Sequence, residues 1–360
     1  MLSTRLLALD AFRGLTIALM VLVNTPGDPK NVYAPLSHAE WNGWTITDAV
    51  FPSFVWIVGV AITLALGRKL EQNIPRRTLY NDIFRRAVIL FTLGLFLYAF
   101  PTFPFDTFRI LGVLQRIAIC YAITSLLFLH TGIRGQIISI IALLSSYWAI
   151  MAFIPAPGFA AGDLSVEGNF AHYIDRIILG RHNYGSTGTW DPEGIVSTLP
   201  SVATCLLGVI AGHILRTNWH INERTRRLIL IGAGLVASGL LMNTWLPINK
   251  KLWTSSFTLF MGGIDFMIFG AMLWLIDARK IVAPFRPAIV MGMNAIAIYL
   301  ASEFLIVLLE ITHYKEAIYQ TLFAPLASPV NASLLFAIAY VLLHYLLALA
   351  LYRRNLFLKI

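Results

Sequence analysis

The strongest constraint on this chain is a series of ten apolar runs, near residues 6–25, 49–67, 84–100, 111–130, 136–154, 195–215, 228–246, 254–276, 287–311 and 332–352. Several approach or exceed the roughly 20 apolar residues that a bilayer-spanning helix needs. Inside lipid the backbone must satisfy its own polar groups, and a continuous run does so as a helix. The sequence therefore predicts an all-α polytopic membrane protein with about ten transmembrane helices, forming one transmembrane domain over residues 1–360. Composition agrees: only 12% of residues are charged, against about 25% in soluble domains, and the mean hydropathy is +0.73. The first run carries Asp10 and Arg13 and is followed by no small-x-small site, so it is expected to remain a span rather than a cleaved signal.

Charge placement tests the count independently. Eighteen of the 27 lysines and arginines fall at one set of alternating ends: Arg5, Arg68, Lys69, Arg76, Arg77, Arg85, Arg86, Arg134, Arg216, Arg224, Arg226, Arg227, Arg279, Lys280, Arg286, Arg353, Arg354 and Lys359. Seven fall at the other set, and Arg13 and Arg116 lie inside runs. The positive-inside rule then places both termini in the cytoplasm, with His38 and the long 155–194 loop outside. The net charge of +9 is spread over short loops, which marks topology rather than a nucleic-acid surface. Cys120 and Cys205 sit in apolar runs, which argues against a disulfide framework or a thiolate metal site. In the outer loop, residues 171–179 read as a short amphipathic helix ending at Gly180. No separate soluble domain is expected.

Ionisable groups at membrane depth cost about 2.5–3.5 kcal/mol on insertion scales and usually face protein or water. Asp10 and Arg13 are spaced to pair along one helix face, and Asn24 lies on the same face about 16 Å farther out. The fourth run opens with Arg109, Gly112, Gln115 and Arg116. Asp265 follows Gly262-Gly263 in the eighth, and the ninth holds Asn294, Ser302 and Glu303. Two readings are open. Asp265 or Glu303 neutralises Arg116 or Arg13 to hold the bundle together, or the set converges on a polar pathway.

Between the first two runs lies Ser37-His38-Ala39-Glu40-Trp41-Asn42-Gly43-Trp44-Thr45-Ile46-Thr47-Asp48, ending at Pro52. By spacing alone His38 is either a solvated loop histidine or a general base, and Trp41 and Trp44 are either interfacial-belt residues or site residues. Asn24 at the end of the preceding helix and Asp48 at the start of the next favour the base: an imidazole oriented by a carboxylate suits proton transfer near pH 7. No second histidine stands at ligand spacing near His38, so no metal site is expected.

The blocks Leu9-Asp10-Ala11-Phe12-Arg13-Gly14-Leu15, Val23-Asn24, His38 to Thr45, Asp48-Ala49-Val50-Phe51-Pro52, Arg109 to Arg116, Asp191-Pro192-Glu193-Gly194, Pro247 to Trp253 and Gly292-Met293-Asn294 run in order along the chain. In these blocks it resembles the heparan-α-glucosaminide N-acetyltransferase family of transmembrane acyltransferases, in the compact form of the bacterial members. It begins almost directly at the first family helix, without the lumenal domain of the animal lysosomal proteins, and its Asn24 to His38 connection is slightly longer. The resemblance implies an enzyme of a bacterial inner membrane that takes acetyl-CoA from the cytoplasm and acetylates glucosamine or a related amino sugar in the periplasm. The family's catalytic histidine and asparagine fall on His38 and Asn24.

On that basis His38 is base to the amine or carrier of the acetyl group, Asn24 is amide donor to the thioester oxygen, and Asp48 orients the imidazole. Coenzyme A is expected to meet Arg85 and Arg86 at the cytoplasmic end, and Arg13, Gln115 and Arg116 along a tunnel. Trp41, Asn42, Asp191, Glu193, Asn249, Lys250 and Trp253 are expected around the sugar. A homodimer is also implied. The rival readings are a multi-pass sugar or ion transporter, a non-catalytic membrane scaffold, and an O-acyltransferase acting on a cell-envelope glycan.

Overall fold

The structure is a computed structural model that describes residues 6–358; Arg5 and Lys359 of the charge pattern lie outside the described residues. Its helices are α1 (Leu7–Asn24), α2 (Ile46–Glu71), α3 (Arg76–Ala99), α4 (Val113–His130), α5 (Ile133–Phe153), α6 (Phe170–Ile178) and α7 (Thr198–Leu215). They continue with α8 (Ile221–Met242), α9 (Ser255–Met272), α10 (Arg286–Gly292), α11 (Ala295–Ile311), α12 (Tyr314–Ile318) and α13 (Pro329–Arg353). No strand forms among the described residues; one isolated bridge joins Gly43 to Asn249. Among the described residues eight helices are long and apolar enough to cross a membrane, and α10 with α11 makes a ninth candidate if that bent pair is one span.

Two findings refine the count of ten. The ninth run is not one straight helix: it bends by 71° between α10 and α11. Asn294 stands at the break, where its side chain bonds the backbone of Leu356 and Leu358 at 3.0 Å each and ties the C-terminal segment to the bend. The third run is helix α3, whose first half carries Asp82, Arg85 and Arg86. Contacts nevertheless place its two ends on opposite faces of the bundle. Near its start Asp82 pairs with Lys69 at 2.6 Å and Tyr80 meets His130 at 3.0 Å. Near its end Tyr98 accepts a hydrogen bond from Arg109 at 3.0 Å. α3 therefore runs the length of the bundle, although its charges leave it outside the helices apolar enough to cross a membrane.

The other connections sort the same way. Arg216 with Glu71 and the amide of Ala8 with Asp277 lie on the Lys69 face. Gly43 with Ile248, Ile110 with His182 and Tyr147 with Leu252 lie on the His38 face. Helices α5, α8 and α13 turn apolar side chains outward, among them Ile138, Ile141, Leu230, Leu241, Leu342 and Leu346. In lipid this outward apolar face meets its own kind, and helices associate through close packing of small residues. Gly59 of α2 and Gly208 of α7 show it: a Cβ on Gly59 would lie 1.8 Å from the Cys205 carbonyl oxygen, and one on Gly208 would lie 1.9 Å from that of Trp56. That seam fixes α2, whose first turn holds Asp48, against α7.

Candidate active site

The chain leaves α1 at Pro26-Gly27, crosses one end of the bundle and enters α2 at Thr45, where a capping box starts the helix: Asp48 accepts from the Thr45 amide at 3.0 Å. The same carboxylate accepts from the Ala39 amide at 3.0 Å and lies 2.6 Å from His38 Nδ1. Asp48 is buried while the His38 side chain is 49% exposed. An acidic first-turn residue is an ordinary helix start; here it also fixes a ring. With Nδ1–H donated to Asp48, the Nε2 lone pair is the free end of the imidazole and can take a proton.

The loop carrying His38 is clamped from the α8–α9 connection. Gly43 N–H donates to the Ile248 carbonyl at 2.7 Å, Asn249 Nδ2 donates to Asn42 Oδ1 at 3.2 Å, and Lys251 Nζ donates to the Glu40 carbonyl at 2.6 Å. Asn249 is fully buried, so it holds the loop rather than facing an acceptor. Asn42 is exposed. Trp41 sits in the cap over the His38 face, where its Nε1 donates to the Leu164 carbonyl at 2.9 Å and its ring meets His172 and Trp190 edge-on. His172 in turn stacks on Trp190 at 4.1 Å. Trp253 departs from expectation. It is a core residue, edge-on to Phe51 and Phe257, with no surface for stacking on a sugar.

Asn24 is exposed at the end of α1, and its side chain is within hydrogen-bonding reach of Glu303 on α11. His38 is oriented by Asp48, Asn24 lies near Glu303, and no hydrogen bond joins His38 to Asn24 among the described residues. Asp265 is held by Ser53 at 2.5 Å, and Arg13 pairs with Asp10 at 3.7 Å. The structural pairings of Asp265 or Glu303 with Arg116 do not form. Helix α9 runs unbroken through Gly262-Gly263.

Asp191 and Glu193 are held by Arg109. Arg109 Nε and Nη2 hold the two Asp191 oxygens at 2.7 and 2.5 Å, and Nη2 also bonds Glu193. The Tyr98 and Tyr184 rings cover the guanidinium at 4.9 and 4.5 Å. Burial works to raise the Glu193 pKa, but Arg109, Lys250 and Arg116 outweigh it and bring the carboxyl down to about 2. Arg116 is likewise occupied, by Ser201 at 3.0 Å, the Gly194 carbonyl at 2.8 Å and Ser197 at 2.5 Å. Gln115 differs: it is fully buried and neither end of its amide has a partner. An unpartnered buried amide is rare in folded proteins. At the opposite face Arg85 is exposed beside Asp82 at 3.9 Å, and Arg86 lies over the Tyr121 ring at 4.9 Å.

Reading the sequence alone missed the Arg109 cluster and the Asn24–Glu303 contact. The pairing of an outer-loop arginine with an outer Asp-x-Glu 82 residues on had a signal only in the opposite signs of two loops on one face.

Comparison with known proteins places these features. The catalytic-family model for heparan-alpha-glucosaminide N-acetyltransferase matches residues 5–239. The heparan-alpha-glucosaminide N-acetyltransferase of Mus musculus is 29% identical over 84% of this chain and 54% of its own length. That of Homo sapiens is 30% identical over 84% of this chain and 53% of its own length. The chain thus spans about half the length of these curated relatives. It belongs to the heparan-alpha-glucosaminide N-acetyltransferase catalytic family.

Proposed function

We propose that this protein is a transmembrane N-acetyltransferase that moves the acetyl group of acetyl-CoA to the amine of glucosamine or a related amino sugar. The observation that carries the reading is the His38–Asp48 pair, 2.6 Å apart, with Nε2 left free at the mouth of the bundle. An amine attacking a thioester must lose a proton, and His38 Nε2 accepts it while Asp48 holds the ring and balances the imidazolium. The carbonyl oxygen gains charge as the amine adds, and the Asn24 amide is its donor. Glu303 orients that amide from the far side.

Acetyl-CoA is the donor substrate. The Gln115 amide, buried with both ends unpartnered, fits the amide-bearing arm of the donor; Arg116 is engaged through both terminal nitrogens, while its buried Nε has no partner among the described residues. The basic Arg68–Arg86 region on the opposite face suits an anionic nucleotide end, and the positive-inside rule makes that face cytoplasmic. The acceptor then stands at the periplasmic face of a bacterial inner membrane, among Asn42, Lys250 and the His38 ring.

The test is an acceptor screen with purified protein in detergent, reading free thiol release from acetyl-CoA. Thiol release that requires an amino sugar and yields the N-acetyl product supports the assignment. Acetylation of hydroxyl acceptors instead indicates an O-acyltransferase. Flux of sugar in liposomes with no acetyl product indicates a transporter.

A further inference from the structure

Of the indoles between helices on the His38 face, most are occupied by the fold itself. Trp41 and Trp190 pack with His172 in the cap. Trp253 is enclosed in the core, and Trp245 follows α8, which turns apolar side chains outward. Trp44 differs from all of these. Its ring is 41% exposed and rests on Phe260, with the ring centres 5.3 Å apart. Its indole N–H makes no hydrogen bond among the described residues.

The contacts around Asp48 place this ring beside the imidazole. Asp48 Oδ2 accepts from the Ala39 and Thr45 amides at 3.0 Å each, and Thr45 Oγ1 donates to the Ser37 carbonyl at 2.6 Å. The loop is drawn closed at that neck, and His38 and Trp44 are the next pair of residues across it. Depth follows from helix register. Ser53 Oγ donates to Asp265 Oδ1 at 2.5 Å, joining α2 to α9, and both helices start at the His38 face. Asp48 and Phe260 each precede that contact by five residues, about 7.5 Å of helix rise. Phe260, and the indole against it, therefore stand level with Asp48 and the imidazole it holds. Helices α2 and α9 are among the most enclosed, so this level lies over the interior of the bundle. Interfacial tryptophans collect instead at the lipid rim.

We infer that Trp44 is the acceptor platform: its open face takes the ring of the amino sugar and presents the 2-amino group to His38 Nε2. An indole face is electron-rich and suits the axial C–H bonds of a pyranose, while its N–H can serve one of the sugar hydroxyls. Small-molecule sites combine such an aromatic surface with a few placed polar groups. The sugar then lies flat on the indole with its amine at the edge where the imidazole stands. This inference rests on the acetyltransferase reading.

Two measurements on the full chain in detergent test it. Trp44→Leu is expected to raise the glucosamine KM about ten-fold, with kcat and the acetyl-CoA KM close to wild type. Trp44→Tyr should recover most of that loss. The second readout needs no turnover: hydroxyl-radical oxidation of Trp44, read by peptide mass spectrometry, should slow when glucosamine is added. Trp245, 55% exposed, is the internal reference. Equal slowing at both indoles, or none at Trp44, overturns the proposal. A loss in Trp44→Leu confined to kcat or to the thermal midpoint also overturns it, because Trp44 then only supports the loop. Wild-type acetylation of glucosamine matched in KM by Trp44→Leu overturns the platform alone. Wild type that acetylates no amino sugar overturns the enzyme reading and the platform with it.

Discussion

His38 Nδ1 and Asp48 Oδ1 lie 2.6 Å apart, and the carboxylate in that contact is also the capping residue of α2. One side chain thus starts a transmembrane helix, fixes the loop before it and sets the tautomer of the imidazole. Asp48→Asn keeps the size of the cap but turns an amide N–H toward Nδ1, forcing the proton onto Nε2. We predict that it lowers kcat by about a thousand-fold or more, as losing the orienting carboxylate does in serine-protease triads. The helical content of the variant should stay at the wild-type level, and steady-state kinetics with circular dichroism on one preparation checks both.

The Arg109 cluster is a stability element. Its guanidinium serves Asp191, Glu193 and Tyr98 together, in a region closed to solvent. Arg109→Met leaves the buried Asp191 without its ion-pair partner and Glu193 with only Lys250 at 3.9 Å, which should cost about 3–5 kcal/mol. A marked drop in the thermal midpoint in detergent is expected. An unchanged midpoint with altered acceptor KM would return Asp191 and Glu193 to the sugar.

Trp253 belongs to the core below the site, with its indole N–H on Thr204 at 3.1 Å. Trp253→Ala should destabilise the protein by about 3–5 kcal/mol, while Trp253→Phe restores much of the fold. Neither should act selectively through acceptor KM, which is the signature of a stacking platform. Denaturation midpoints and acceptor KM together decide.

Two buried groups in the outer cap give opposite pH responses. Burial pushes the Asp175 carboxyl up to about 6 from 3.8, so its contribution to stability is full below about pH 4 and is lost as pH rises through 6. Burial pushes the His172 imidazole down to about 4 from 6.5, so its contribution is present above about pH 6.5 and is lost as pH falls through 4. Between those limits the two offset. Hydrogen-exchange protection of the cap, corrected for intrinsic rates, should therefore vary little with pH in wild type. Asp175→Asn should make the cap acid-labile and His172→Phe should make it acid-stable; a shift in the same direction in both contradicts the assignment.

Much of this architecture is local and was legible in the sequence. The apolar runs gave most of the long helices, and Asp48 could be tied to His38 because it stands at the start of the helix that follows the His38 loop. Asp10 and Arg13 pair as their spacing on one face requires. What depends on distant packing was not legible. Trp253 is aromatic and next to an outer loop, and nothing in its neighbours shows that Phe51 and Phe257 enclose it. The ninth run bends by 71° at the Met293-Asn294 break, a feature invisible to a hydropathy pattern. Asn249 reads as an exposed loop amide, yet it is buried as the latch of the His38 loop.

The central claim is that His38 takes the proton of an amino-sugar amine in acetyl transfer. The most direct measurement is the kcat for glucosamine acetylation by purified protein in detergent with labelled acetyl-CoA, for wild type and His38→Ala of equal thermal stability. The account predicts acetylated sugar from wild type without any membrane gradient, and a loss of at least about a hundred-fold in His38→Ala. Equal turnover by the two proteins would contradict it.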